Sequence, residues 1–273
     1  MMRHMGSFAR ARPPAVAGLF YPAEREALER TVAECLAAAA PIPALPGRVK
    51  ALIAPHAGYV YSGPIAGSAF RSVESLRGTV ERVILLGPTH RFAFAGIAVP
   101  TVDAFETPLG SVPVDDAARR ELLALPEVIE DDRPHADEHC LEVELPFLQT
   151  LFGNVRVLPV VVGRIAPERL AVVLERLWGG PETLIVVSSD LSHYHDDATA
   201  KRIDRATGAA IAERTSALTH DQACGATVIN GLMVAARQHG LEVLELDRRT
   251  SADTAGDPRR VVGYAAYALH EPC

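Results

Sequence analysis

Apolar positions along this chain alternate between helical spacing and short unbroken runs. In residues 22–39, Leu28, Val32, Cys35 and Leu36 recur at helical spacing behind early acidic residues, and Pro41-Ile42-Pro43 cannot continue the pattern. An amphipathic helix is predicted there. Six more helical patterns cover residues 64–76, 115–125, 137–152, 167–178, 198–214 and 226–238. Between them lie aliphatic or β-branched runs at 51–53, 83–86, 155–162 and 184–187, each of strand length. Strands alternating with helices predict an α/β fold whose central sheet is largely parallel and flanked by helices. Two stretches depart from that rhythm. Residues 96–114, with Thr107-Pro108-Leu109-Gly110, read as strand, turn and strand, and 242–246 with 261–269 read as a late antiparallel pair. The sheet is therefore expected to be mixed, within a single domain spanning residues 1–273 whose first twelve residues form a disordered tail.

Composition narrows the function. With 27 Lys+Arg against 34 Asp+Glu the net charge is −7, which argues against nucleic-acid or anionic-membrane partners. Apolar residues make up 48% of the chain, enough for a substantial core, yet no run approaches the roughly 18 residues of a spanning helix. The basic N-terminus has no apolar stretch behind it, so no signal peptide is expected and a cytoplasmic location is. Cys35, Cys140, Cys224 and Cys273 stand singly, without the CxxC pairing of a zinc ribbon.

The chemistry concentrates after the strands. Ala54-Pro55-His56, Gly87-Pro88-Thr89-His90 and Ser188-Ser189-Asp190-Leu191-Ser192-His193 each follow an aliphatic run. In open α/β sheets, ligands bind beyond the carboxyl ends of the strands, so parallel neighbours would bring His56, His90 and His193 together. Convergent imidazoles suit a metal ion, and the alternative for each is a hydrogen bond to a loop carbonyl. Asp190, three residues before His193, is placed to orient that ring or to cap the next helix, with His195 on the solvent side. In residues 133–142, Glu138 and His139 are favoured over His135 as pocket residues, because Pro134 suggests that the helix starts after His135. A solvated helix face is the competing reading for Glu142 and Glu144. Cys224, just before a helical pattern, is expected to have a lowered pKa and to serve as metal ligand or nucleophile. Cys35 and Cys140 read as core thiols. Tyr59 and Tyr61 are close enough to His56 in sequence to line the same cavity, and Ser189 belongs to the pocket loop.

Taken together and in this order, Ala54-Pro55-His56-Ala57-Gly58-Tyr59, Gly87-Pro88-Thr89-His90, Asp137-Glu138-His139 with Leu145-Pro146-Phe147, Ser188-Ser189-Asp190-Leu191-Ser192-His193 and Ala223-Cys224-Gly225 resemble the Memo family, called AmmeMemoRadiSam system protein B in bacteria and archaea. The likeness runs from about Ala15 to Tyr264. That family is similar in turn to the LigB-like class III extradiol ring-cleaving dioxygenases, whose α/β fold holds a non-haem Fe(II) between two histidines and a glutamate. The resemblance implies His56 and His90 as imidazole ligands, His193 as acid/base and Cys224 at the carboxylate position; the reading of the residues adds Asp190 as the orienter of His193 and His139 as a further catalytic candidate. A thiolate there softens the site: Fe(II) remains the first expectation, with copper or zinc as the others. It implies a redox-linked metal protein acting on a small molecule or a protein group. The alternatives are a non-catalytic module recognising a partner, an Ammecr-type protein or a radical-SAM enzyme, and a hydrolase using Cys224, His193 and Asp190.

Overall fold

The computed structural model of the chain describes residues 10–41, 45 and 47–272. Along them run β1 (Ala11–Arg12), α1 (Arg25–Ala37), β2 (Val49–Ala54), α2 (Tyr59–Arg71), β3 (Arg82–Pro88), β4 (Ile97–Val99), β5 (Ala104–Thr107), β6 (Gly110–Pro113), α3 (Asp116–Leu122), β7 (Val128–Glu130), α4 (Arg133–Ala136), α5 (Leu145–Phe152), β8 (Arg156–Val162), α6 (Pro167–Arg176), β9 (Thr183–Ser188), β10 (His193–His195), α7 (Asp197–Ala212), α8 (Ala226–Gln238), β11 (Glu242–Thr250) and β12 (Val261–His270). No helix among them is long and apolar enough to cross a membrane.

The sheet is mixed, ordered β10-β12-β2-β9-β3-β8-β4-β7, with β11 also paired to β12. Its middle is parallel: β2 pairs β9, β9 pairs β3 and β3 pairs β8. These four strands are the aliphatic runs of the sequence, buried almost throughout, as helix-covered parallel strands must be. Helix pairs α1/α2 and α6/α8 pack over it. The antiparallel pair at the end of the chain is β11 and β12.

What matters for function is where the four parallel strands stop. Each ends two residues before a polar side chain: β2 before His56, β3 before His90, β9 before Asp190 and β8 before Arg164. Parallel register puts all four at one edge of the sheet.

Several expectations need correction. The helix predicted over 137–152 is broken: α4 ends at Ala136, a single 3-10 turn spans Glu142–Glu144, and α5 begins only at Leu145, with Pro146 in its first turn. The cause is Glu138, whose carboxylate accepts from the N–H groups of His139 and Cys140 and so competes with helix formation. The helix expected from Pro64 starts earlier, at Tyr59, and carries Pro64 inside it. Residues 96–114 hold three strands, not two, with the β5–β6 hairpin turning at the foreseen Thr107–Gly110. The tail drawn to residue 12 is too long, because Ala11 and Arg12 pair with β5 and Arg12 is buried. Residues 1–9 and Cys273 lie outside the described residues.

Candidate metal centre

Three loops meet at the carboxyl edge and are tied through their backbones. The His56 N–H donates to Asp190 Oδ1 at 2.8 Å, the Asp190 N–H reaches Cys224 Sγ at 3.3 Å, and the Gly225 N–H donates to Ser189 Oγ at 2.9 Å. Gly225 is required there, since a Cβ would lie 2.6 Å from the Ser189 side chain. Cys224 Sγ thereby comes to 3.3 Å from His56 Nε2.

The tautomer of His56 follows from its other nitrogen. Nδ1 lies 2.8 Å from Ser188 Oγ, which is also 2.7 Å from the Cys140 carbonyl and 2.9 Å from Glu144 Oε1. The hydroxyl has one proton and the carbonyl can only accept, so that proton belongs to Cys140 O. Ser188 Oγ then accepts from His56 Nδ1–H and from a protonated Glu144. Burial pushes the Glu144 carboxyl well above its ordinary range, and its second oxygen has no partner among the described residues, which a buried carboxylate would not tolerate. The chain Glu144–Ser188–His56 leaves a lone pair on Nε2, aimed at the thiol.

His90 is held in the same way. Its Nδ1 donates to Glu138 Oε1 at 2.8 Å and its backbone N–H to Oε2 at 2.6 Å, so its free lone pair is also on Nε2. Burial pushes Glu138 up, but four hydrogen bonds, those from His90 foremost, outweigh it and hold the carboxyl down to about 2. The ring of His139 lies 4.7 Å from that of His90 and 5.4 Å from that of His56. Its Nδ1 has no hydrogen-bond partner among the described residues, and burial, with His56 beside it, holds its pKa down to about 4. His56 is likewise lowered by burial, then by His90.

The segment bearing Glu138 and His139 is strapped down from the N-terminal side. Arg12 donates to the carbonyls of His135 (2.6 Å) and Glu138 (2.7 Å) and to Glu142 Oε2 (2.6 Å). Glu142 also accepts from the N–H groups of Ala15 and Val16 and from the Tyr21 hydroxyl, and Phe20 lies against the ring of His139. Glu142 and Glu144 are thus wholly buried, which decides against the competing reading of a solvated face. They were unreadable because each partner lies far away in sequence.

A cavity of about 1180 Å³ opens beside this centre, lined among others by His90, Arg164, His193, Tyr194, His195 and Cys224. His193 Nδ1 lies 2.8 Å from the Leu191 carbonyl and must donate to it, which leaves Nε2 as a base. The orienting bond to this ring that the sequence assigned to Asp190 is therefore made by Leu191, and Asp190 instead fixes the backbone of His56. Nor does Asp190 cap a helix: Asp196 caps α7. His195 lines the cavity as well. Glu138 and Ser189 stand one layer behind it, holding His90 and the Cys224 loop. Tyr59 does not line this cavity: it packs on Phe147 and donates to the Val143 carbonyl. Tyr61 lies outside the lining, half exposed. The thiol is also not activated by a helix. Helix α8 begins at Ala226, beyond Gly225, and burial, with Asp190 beside it, pushes Cys224 up to about 12. His135 bonds the Ala98 carbonyl away from the centre, and Cys35 and Cys140 are buried.

The donors that remain fit a soft or borderline transition metal. One ligand atom each from His56, His90 and Cys224 lie within 4.8 Å of one another. His90, Glu138 and His139 form a second such group, but there the carboxylate is spent on four hydrogen bonds. A mixed α/β protein with a candidate two-histidine, one-cysteine centre at the carboxyl edge of its sheet is the class so defined. The chain belongs to the Memo-like protein family, which matches residues 12–268. It is 37% identical over 285 residues to a MEMO1 family protein of Ignicoccus hospitalis, covering 96% of this chain and 99% of that one. A MEMO1 family protein of Thermotoga maritima is 35% identical over 279 residues, covering 94% and 99%. Among solved structures, an uncharacterized protein of Escherichia coli K12 shares the fold with a TM-score of 0.53 at 12% identity, over 81% of this chain and 100% of that one.

Proposed function

We propose that this protein is a metal-dependent oxidoreductase that holds one transition-metal ion between His56, His90 and Cys224 and acts on a small molecule in the adjoining cavity. The observation that carries the reading is the convergence of these three side chains with both histidines held at Nδ1, by Ser188 and by Glu138. When bound, the ion would supply Lewis acidity and one-electron chemistry; Fe(II) is the first candidate, with copper or zinc as the others. His193 takes a proton at Nε2, on the cavity side. The hydrolase reading is disfavoured by geometry, since the thiol meets His56 and not His193.

Elemental analysis of protein purified without oxygen tests this, beside Cys224→Ser. The expected result is iron or copper near one per chain in the wild type and a large loss in the variant. A protein that carries no metal, and refuses added Fe(II) and Cu(I), overturns it.

A further inference from the structure

Strand β8 is the one parallel strand whose following side chain the metal centre does not use. It ends two residues before Arg164, which lines the cavity with His90, His193 and Cys224. The position of this arginine is built rather than loose. Its N–H donates to the Phe94 carbonyl and its carbonyl accepts from the Gly96 N–H, each at 2.9 Å, while the Gly163 N–H donates to the Gly96 carbonyl at 2.9 Å. A Cβ on Gly163 would come 2.4 Å from the Phe94 carbonyl oxygen, so this close crossing needs glycine just before the arginine. The backbone is thus fixed against the segment from Phe94 to Gly96, yet the guanidinium makes no ion pair or side-chain hydrogen bond among the described residues. Elsewhere Arg12, Arg119, Arg133, Arg169 and Arg249 each meet a carboxylate, and arginines that like Arg164 do not, such as Arg30, Arg91 and Arg205, lie outside the lining of this cavity. The cavity lining around Arg164 includes His193, His195 and His220 and a single carboxylate, Asp221, which forms no ion pair with it. A free planar fork of donors on a rigid base, facing a cavity that ends at a candidate metal centre, matches a carboxylate or phosphoryl group.

We infer that the cavity selects an anionic small molecule, its carboxylate or phosphoryl group held by Arg164 while its other end reaches the His56/His90/Cys224 centre. This rests on the proposed metal site and adds the class of substrate to it. Arg164 is then a specificity-determining residue that touches no reacting atom.

Hydroxamates provide the probe, since one end chelates a metal and the other can be varied. A homologous series bearing a terminal carboxylate, a phosphonate or a neutral carboxamide would be titrated by calorimetry into zinc-loaded and into metal-free protein. In the zinc-loaded protein, at the best chain length, one of the anionic tails binds more tightly than the carboxamide by roughly tenfold or more; the better of the two names the acid group. Arg164→Gln abolishes that preference without weakening the carboxamide, and Arg164→Lys retains part of it. Equal affinity for charged and neutral tails, a preference that survives Arg164→Gln, or no binding by any member overturns the inference. The two readings fail separately. Carboxamide binding that needs zinc but shows no anion preference leaves the metal site standing without this inference. An Arg164-dependent preference of equal size in metal-free protein leaves the inference standing without the metal site.

Discussion

The metal corner and the mouth of the cavity are built on opposite principles. In the corner, Arg12, Glu138, Glu142, Glu144 and Asp190 are all buried, and each is bound to groups on a distant segment. At the mouth, Arg164 and His220 are exposed, Tyr194 is 64% exposed and His193 and His195 are half-buried. Tyr194 adopts a left-handed backbone with φ 66°, a conformation that costs a bulky residue of order 1–3 kcal/mol, and it covers Arg260 rather than joining the core. Ligands to a metal must be held to within tenths of an ångström, so their supports are buried and interlocked. A surface that meets a substrate needs groups with unspent hydrogen-bonding capacity.

If that contrast is right, the largest effect of a single substitution falls on the strap. Glu142→Ala leaves Arg12 buried without its carboxylate and Ala15, Val16 and Tyr21 without their acceptor. It should cost about 3–5 kcal/mol in urea denaturation. A loss below about 1 kcal/mol would show the strap to be incidental.

Next comes Glu144. An acid whose folded pKa is raised binds its proton more tightly folded than unfolded, so the wild type loses stability as pH rises above the ordinary 4.5 of an unfolded glutamate, until the folded pKa is reached. Glu144→Gln donates to Ser188 as the protonated acid does and carries no such penalty. Its stability should therefore gain on the wild type with increasing pH, by up to about 1.4 kcal/mol per pH unit. Parallel stability curves from pH 5 to 8 would mean that Glu144 is ionised and that the tautomer assigned to His56 needs another cause.

Glu138→Gln keeps the shape of the His90 support and removes its charge. Zinc affinity, read by competition with a chromogenic chelator, should fall about 10–100-fold, since loss of an orienting partner has effects of that size. An unchanged affinity would separate Glu138 from the metal corner.

How much of this could be read from the chain depended on the range of the interaction. The parallel strands and the histidines after them were legible because burial and strand ends are local patterns: Val83-Ile84-Leu85-Leu86 followed by His90 announces both. The late antiparallel pair was legible for the same reason. The break in the helix at 137–144 was not, because Glu138 finds His90 across 48 residues and Glu142 finds Arg12 across 130. Cys224 misled for a related reason: proximity to a helix start was visible, but the burial and the Asp190 neighbour that raise its pKa were not. Tyr59 was drawn to the cavity by closeness in sequence alone, whereas the helix that begins there turns it onto Phe147.

The smallest expected effect is the sharpest test of the contrast. The side chain of His195 has no hydrogen bond or ion pair among the described residues, so its replacement removes neither a side-chain hydrogen bond nor a charge pair. His195→Gln should change the free energy of unfolding in urea by no more than about 0.5 kcal/mol and leave zinc stoichiometry as it was. A residue of the same chemical type at His139, wedged between Phe20 and the other two imidazoles, has no such freedom: its replacement by Gln should lower both. Two histidines, one in the corner and one at the mouth, with a large effect at the first and a small one at the second, are what a rigid corner and an adaptable mouth require. Equal losses at both positions would mean that the mouth is as tightly specified as the corner, and that the free hydrogen-bonding groups of Arg164 and His195 belong to structure rather than to a ligand.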